Sequence, residues 1–205
     1  SCNTTAICRV THPFVEEGIL EKAYMALARR GVDPVDSHEQ GPLGTITLED
    51  SIPSHQGPDA QTIIPNLSIL TVAVAVPTTI GHLHIAFLHL NKELSTDEVI
   101  GILKSSPRVV AVNYKDGITA ENQLAELMRD LGRPRSDMWE VVFWADLLHV
   151  EGRDAAFYYQ VHNEAIVIPE NIDAIRAISG VEQDPQKSIQ KTNQSLGIVS
   201  NFYGL

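Results

Sequence analysis

Along the chain the spacing of apolar residues changes period several times, and each change predicts an element. Ile7 and Val10 follow Ser1-Cys2-Asn3-Thr4-Thr5 on one side, which predicts a helix whose N-terminus carries the cysteine among small capping side chains. Lys22 to Arg30 alternates loosely and stops at Gly31, a strand that delivers two arginines to its end. Between Val32 and Pro65 five prolines and three glycines break any regular pattern, so the segment reads as a long loop. Ile69 to Val76 and His82 to Leu90 then read as neighbouring strands. In the second, the even positions from His82 share one face, while Leu83, Ile85, Phe87 and His89 share the other.

The second half alternates helices with strands. Ser95-Thr96-Asp97-Glu98 is a capping box that opens a helix through Leu103, and Arg108 to Asn113 returns as a strand. Thr119 to Leu131 carries Leu124, Leu127, Met128 and Leu131 on one stripe, with Gly132 as its stop. Trp139 to Val150 and Ala155 to His162 flank Glu151-Gly152-Arg153 as an antiparallel hairpin. Pro169 opens a helix closed by Gly180, and Asp184-Pro185 opens a last one running to about Ser200. Hairpins mixed with helix-joined strands predict an α+β fold, a mixed and largely antiparallel sheet with helices on one face, whose other face needs a partner.

With 205 residues, 43% of them hydrophobic, the chain is long enough for one substantial core. Its formal charge of −11 repels nucleic acid and anionic lipid, so any anion site must be a local cluster of cations. The longest apolar run, Leu67 to Pro77, is too short to span a bilayer, so no membrane role is expected. Two cysteines give neither a disulfide framework nor zinc-finger spacing, which favours a reducing, cytoplasmic setting and no metal. The chain opens on Ser1 directly at its most chemical motif, as an excised or processed piece would.

A thiol at a helix start is stabilised as thiolate by the exposed N–H groups, which suits Cys2 to nucleophilic work; a buried core cysteine beside a cap is the plainer reading. Cys8 is too far along for a redox pair and reads as core. Arg29 and Arg30 form the most concentrated cationic spot, although on a strand they point to opposite faces, so one can hold an anion while the other forms an ion pair. His82 and His84 share a strand face, and periodicity does not choose between them. His12, beside Pro13, reads as structural. Thr4, Thr78 and Thr79 are hydroxyl donors that capping and strand propensity explain equally well.

The SCNTT-x-x-CR run resembles the active-site cysteine motif of archaeal-type (type II) glyceraldehyde-3-phosphate dehydrogenases. Further segments match in order: RRG-x-DP at Arg29 to Pro34, PSHQGPD at Pro53 to Asp59, VPTT-x-x-H-x-H at Val76 to His84, PENIDAIRA at Pro169 to Ala177, and I-x-KTN at Ile189 to Asn193. The resemblance covers essentially the whole chain. It implies the catalytic domain of an enzyme that oxidises glyceraldehyde 3-phosphate with inorganic phosphate to 1,3-bisphosphoglycerate, a glycolytic and gluconeogenic reaction, through a thioester on Cys2. His82 would be the acid/base; Arg29, Arg30, His55, Thr4, Thr78 and Thr79 would meet phosphate; Asn193 would orient the nicotinamide of NAD or NADP. Gln56 stands where relatives often have a second histidine. No G-x-G-x-x-G occurs, so an N-terminal Rossmann domain outside these residues would bind most of the cofactor, and 184–205 would pack on it. Alone, the chain is expected to be inactive; the resemblance implies a homotetramer for the full enzyme. The alternatives are a related semialdehyde or acyl-phosphate reductase and a non-catalytic oligomerisation domain.

Overall fold

The computed structural model describes residues 1–31 and 44–203; the middle of the Pro/Gly-rich segment, with Val32 to Pro34 of the RRG-x-DP run, lies outside them. The first helix, α1 (Cys2–Glu16), starts on the cysteine as the spacing predicts, and strand β1 (Leu20–Arg30) follows. Then come β2 (Thr47–Leu48), α2 (Gln56–Ile63), β3 (Ile69–Val76) and β4 (Gly81–Leu90). The second half is α3 (Thr96–Ser105), β5 (Val109–Val112), α4 (Glu121–Asp130), β6 (Val141–Trp144), β7 (His149–Glu151), β8 (Asp154–His162), α5 (Ile168–Ser179) and α6 (Pro185–Leu196).

Seven strands run in the order β2-β3-β1-β4-β8-β6-β5, with β7 beside β8 as an eighth. Only β1–β3 and β5–β6 pair in parallel; the other pairs are antiparallel, so the sheet is mixed and largely antiparallel as expected. Parallel neighbours need a crossover. Helix α2 supplies the one between β1 and β3, and α4 the one between β5 and β6. β3 and β4 are not neighbours, because β1 lies between them in parallel register with one and antiparallel register with the other.

The main core lies between the sheet and α1, α2 and α3, with Ala6, Ile7, Val10 and Phe14 of α1 fully buried against Met25, Leu88, Phe157 and Val161. Helix α4 packs on the opposite face at the β6–β5 end, where Leu124 and Met128 meet Val110, Val142 and Trp144 in a smaller second core. The Ser95–Glu98 capping box is formed, and α4 ends before Gly132. Helix α2 was not legible in its proline-rich surroundings. It approaches β3 so closely that a Cβ on Gly57 would stand 2.8 Å from Thr71 Oγ1, so glycine is required there. The predicted 139–150 strand is broken by a single 3-10 turn at Ala145–Leu147. The last helix stops at Gly197, whose φ of +66° ends it short of Ser200.

Pro13 inside α1 has no N–H to give the carbonyl of Arg9; Ser106 Oγ donates to that carbonyl at 2.7 Å instead. The Arg9 side chain is itself the tie between α1 and everything around it. Its guanidinium donates to the Trp139 carbonyl at 2.6 Å, the Ile166 carbonyl at 3.0 Å and both carboxylate oxygens of Glu170 at 2.6 and 2.7 Å. Arg108, also buried, shares Glu170 at 3.1 Å and reaches Asp173 at 2.7 Å. Arg9 is buried but Glu170 is partly exposed and keeps Arg108, so losing the guanidinium chiefly strands the two carbonyls, at about 1–3 kcal/mol for an unsatisfied buried group. Arg9→Met is therefore expected to lower the unfolding free energy by about 2–3 kcal/mol, read from urea titration, whereas Ser95→Ala, which loses only a cap, should cost about 1 kcal/mol.

Candidate active site

Ser1 caps α1, its Oγ accepting from the Thr4 N–H at 3.4 Å and bonding Thr4 Oγ1 at 2.8 Å. Cys2 is thus the first helical residue, half-buried against the main core. Burial pushes its thiol up from the ordinary range, against the backbone N–H groups of the first turn and the positive charge of Arg30, which pull it down. The helix start alone does not produce a thiolate here, because desolvation outweighs it. Cys8 is also half-buried, and burial raises its thiol to about 11.

The alternation of β4 puts His82 and His84 on the core face, and the structure separates their roles. His82 Nε2 lies 3.3 Å from Cys2 Sγ, across eighty residues of sequence. Its Nδ1 accepts the backbone N–H of Arg30 at 2.9 Å. Asn163, just beyond the end of β8, completes a triangle: its Oδ1 lies 2.7 Å from His82 Nε2 and accepts from Cys2 Sγ at 3.3 Å. Burial lowers His82 to about 4, reinforced by the Arg30, Arg29 and His162 charges and opposed by the Asn163 hydrogen bond. Sequence reading missed Asn163, since it sits in a turn with no motif or periodicity to mark it.

His84 is fully buried one layer deeper. Its Nε2 bonds Asn3 Oδ1 at 2.8 Å and its Nδ1 bonds the Tyr159 hydroxyl at 2.7 Å. Burial holds it well below the ordinary histidine range, helped by the charges of His82 and Arg29. It supports the first turn of α1 from beneath and does not touch Cys2 Sγ through any described bond.

The other expected residues fall into distinct places. Arg29 forms a close, mostly buried ion pair with Glu49, and its Nε is buried without a partner. Arg30 reaches the Thr79 carbonyl at 3.2 Å and half-exposed Glu164 at 3.4 Å. Its charge is felt at both Cys2 and His82. Thr78 donates to Glu121, and Thr4 is spent on the cap. His55 stands exposed at the start of α2, 3.0 Å from Asp59, while the buried Gln56 beside it bonds its ring at 3.0 Å. Asn193 lies on α6, its Oδ1 accepting from Arg108 Nε at 2.8 Å. His12 is exposed and paired with Glu16 at 3.6 Å. A separate cavity of about 550 Å³, walled by Leu83, Trp144 and Tyr158, opens on the opposite sheet face and includes neither Cys2 nor His82. Among the described residues no three potential metal ligands cluster, and no helix is long and apolar enough to cross a membrane.

Against known proteins, a family model described as glyceraldehyde 3-phosphate dehydrogenase, C-terminal domain, matches residues 1–146, which include Cys2, both arginines and His82 but neither Asn163 nor Asn193. The chain is 41% identical over 199 residues to glyceraldehyde-3-phosphate dehydrogenase 2 of Methanosarcina barkeri, covering 97% of this chain and 58% of the relative. It is 40% identical over 204 residues to the enzyme of that name from Methanopyrus kandleri, covering 98% of this chain and 57% of the relative. With the Haloarcula marismortui protein it shares 44% over 200 residues, 97% and 56% respectively. The chain thus spans somewhat over half the length of these archaeal relatives.

Three buried histidines, His82, His84 and His162, are all held low by desolvation, so folding keeps them neutral where the unfolded chain would protonate. Their contribution is complete above the unfolded value of about 6.5 and is lost as the pH falls towards the folded values. For His82 the window closes at about 4, and the gap is worth up to about 3 kcal/mol at about 1.4 kcal/mol per pH unit. Urea titrations at descending pH should show unfolding free energy flat above about 6.5 and falling below it, with a shallower fall in a His82→Gln variant.

Proposed function

Since the chain belongs to the glyceraldehyde-3-phosphate dehydrogenase family, through its C-terminal domain, we propose that it is the catalytic domain of a phosphorylating enzyme and that Cys2 carries the acyl group. The 3.3 Å contact between Cys2 Sγ and His82 Nε2 supports this reading most directly. A thiol is the suitable nucleophile because its thioester keeps enough transfer potential to make an acyl phosphate. Cys2 adds to the aldehyde of glyceraldehyde 3-phosphate, holds the carbonyl as a thioester after hydride leaves, and is released when inorganic phosphate attacks.

The two arginines divide their tasks. Arg29 is committed to Glu49, mostly out of water. Arg30 lies 3.4 Å from half-exposed Glu164, and its charge is felt at both Cys2 and His82. That placement supports Arg30 as the phosphate clamp beside Cys2.

The described residues fit only the reacting end of NAD or NADP. No glycine-rich strand–turn–helix cradles a pyrophosphate among them, and the helix start at the site is filled by the Ser1 cap and Cys2. The nicotinamide, when bound, accepts the hydride. Asn193 would orient its carboxamide through Nδ2, because Oδ1 accepts from Arg108. A separate nucleotide-binding domain supplies the rest, and the α5–α6 side is its dock. The apolar surface there is on α5 and just past its end, where Ile175, Ile178 and then Val181 are exposed, whereas Ile189, Leu196 and Val199 of the last segment are half-buried.

The uncovered sheet face carries Phe87 at 51%, Tyr24 at 42%, Tyr158 at 40% and Val72 at 39% exposure, a patch of the kind that marks an interface. We assign it to a second copy of this chain, in a tetramer of the full enzyme.

Three experiments test these readings. Glyceraldehyde 3-phosphate should protect Cys2 from iodoacetamide while an amino-acid semialdehyde does not, and the chain joined to a matching nucleotide-binding domain should form NAD(P)H only with aldehyde and phosphate together. A folded, joined protein with no turnover overturns the dehydrogenase assignment. In sedimentation, Phe87→Glu should dissociate the oligomer and leave Cys2 alkylation unchanged; a chain that is monomeric throughout refutes the interface.

A further inference from the structure

We propose that the cavity on the open sheet face is a binding site for a small organic amine. Glu121 and Gln160 receive its ammonium group in a recess beside Gly81, and its apolar body lies among Leu83, Tyr114, Trp144 and Tyr158. The site is separate from Cys2 and does not rest on the dehydrogenase reading.

The recess exists because of a glycine. Alternation along β4 turns Gly81 to the same face as Leu83, away from that of His82. Its φ lies outside the left-handed region, so space and not conformation calls for glycine there. A Cβ would stand 2.9 Å from Gln160 Nε2 and 3.1 Å from Glu121 Oε2. The space that remains, about 60 Å³, is lined by Gly81, Thr78, Glu121 and Gln160 among others. Two acceptors of these side chains are buried without partners: Glu121 Oε2, and Oε1 of Gln160, a residue only 2% exposed. Leaving buried acceptors unmet is costly, and more so for a charged group.

Nothing local uses that carboxylate up. Glu121 is the first residue of α4, yet the N–H groups at this helix start are met by Gln123, whose Oε1 accepts from Thr119 and Ala120. Among the described residues the Glu121 side chain has no ion pair and one hydrogen bond, donated to its Oε1 by the Thr78 hydroxyl. The Thr78 proton is thereby committed, and its oxygen remains as a third acceptor. Three acceptors and one negative charge match an ammonium group, which has three donors and no acceptor. Water would leave the charge unbalanced. A divalent metal wants more oxygen ligands than these, and no three histidine, cysteine or carboxylate side chains cluster among the described residues.

Through Thr78 and Glu121 the recess adjoins the cavity of about 550 Å³, a volume that suits a small organic ligand. Its walls are apolar and aromatic. Leu83, Trp144 and Tyr158 come from three strands, and Tyr114 and Leu147 from the turns beyond β5 and β6. Trp144 is held in place by its indole N–H, which donates to the Ile118 carbonyl at 2.6 Å. Aromatic faces beside a carboxylate suit a flat apolar body that carries a cation. Tyr158 also belongs to the patch assigned to the second copy, so the dissociated chain is part of the test.

The probe is 2-phenylethylamine, a cation at neutral pH. The chain has two tryptophans: Trp144 in the cavity wall, and Trp139 stacked by Arg133 elsewhere. In nitrogen-15 spectra of the unaltered chain, the Trp144 indole N–H signal should shift and saturate with the amine, while that of Trp139 stays. The neutral counterpart 2-phenylethanol should bind more weakly by about tenfold or more, and so should the amine to Glu121→Gln, which keeps an acceptor for Thr78. Glu121→Gln should alkylate at Cys2 at the parent rate, which checks its fold. No saturable shift at Trp144, equal affinity for amine and alcohol, or unchanged affinity in folded Glu121→Gln overturns the proposal. Binding that appears only in the dissociated Phe87→Glu chain also overturns it, because the second copy then fills the cavity. Should Glu121→Gln not fold, the comparison of amine with alcohol on the unaltered chain decides.

Discussion

One buried cation sets the site. Arg9 ties α1 to the carbonyls of Trp139 and Ile166 and to Glu170, so the helix can neither slide nor rotate on the sheet without breaking charge-assisted bonds in a low dielectric. Cys2 lies two turns back along that helix, and Asn163 lies three residues before Ile166. The same guanidinium therefore fixes both ends of the Cys2–Asn163 contact, and β4 brings His82 to meet them. Pro13, which would otherwise loosen the helix at Arg9, is compensated by Ser106 at the carbonyl it leaves without a donor.

Beneath this triangle the polar layer of Asn3, His84 and Tyr159 is fully hydrogen-bonded. A satisfied buried network of this kind gives the first turn of α1 a single seat. The two histidines on one strand face thus have separate tasks. His82 touches the thiol, and His84 holds the residue next to it. Nothing in an alternating pattern distinguishes them, because both satisfy the same period; the difference lies in what α1 and β8 place opposite each.

Local chemistry made most elements legible. The capping box of α3, the alternation of β4 and the Gly stops of α4 and α5 are all short-range signals. What could not be read was non-local. β1 enters between β3 and β4 through pairings 46 to 70 residues apart, and α2 forms where its own sequence argues for a loop because Gly57 lets it settle on Thr71. The thiol and its histidine were found through motif resemblance, while Asn163 escaped because its importance comes entirely from where β8 ends. Helix-start chemistry pointed to an acidified Cys2; burial, invisible in a sequence, reverses that sign.

The state of His82 is held by a main-chain amide, and this has a consequence for how the site tolerates change. A side chain that tunes a catalytic group can be lost in one substitution, but every residue except proline presents the same N–H at position 30. The hydrogen bond that orients the ring is therefore insulated from drift at Arg30, while the charge the ring feels is not, because the guanidinium helps hold His82 low. Identity at that position can change the electrostatics of the site without removing the amide that seats its histidine.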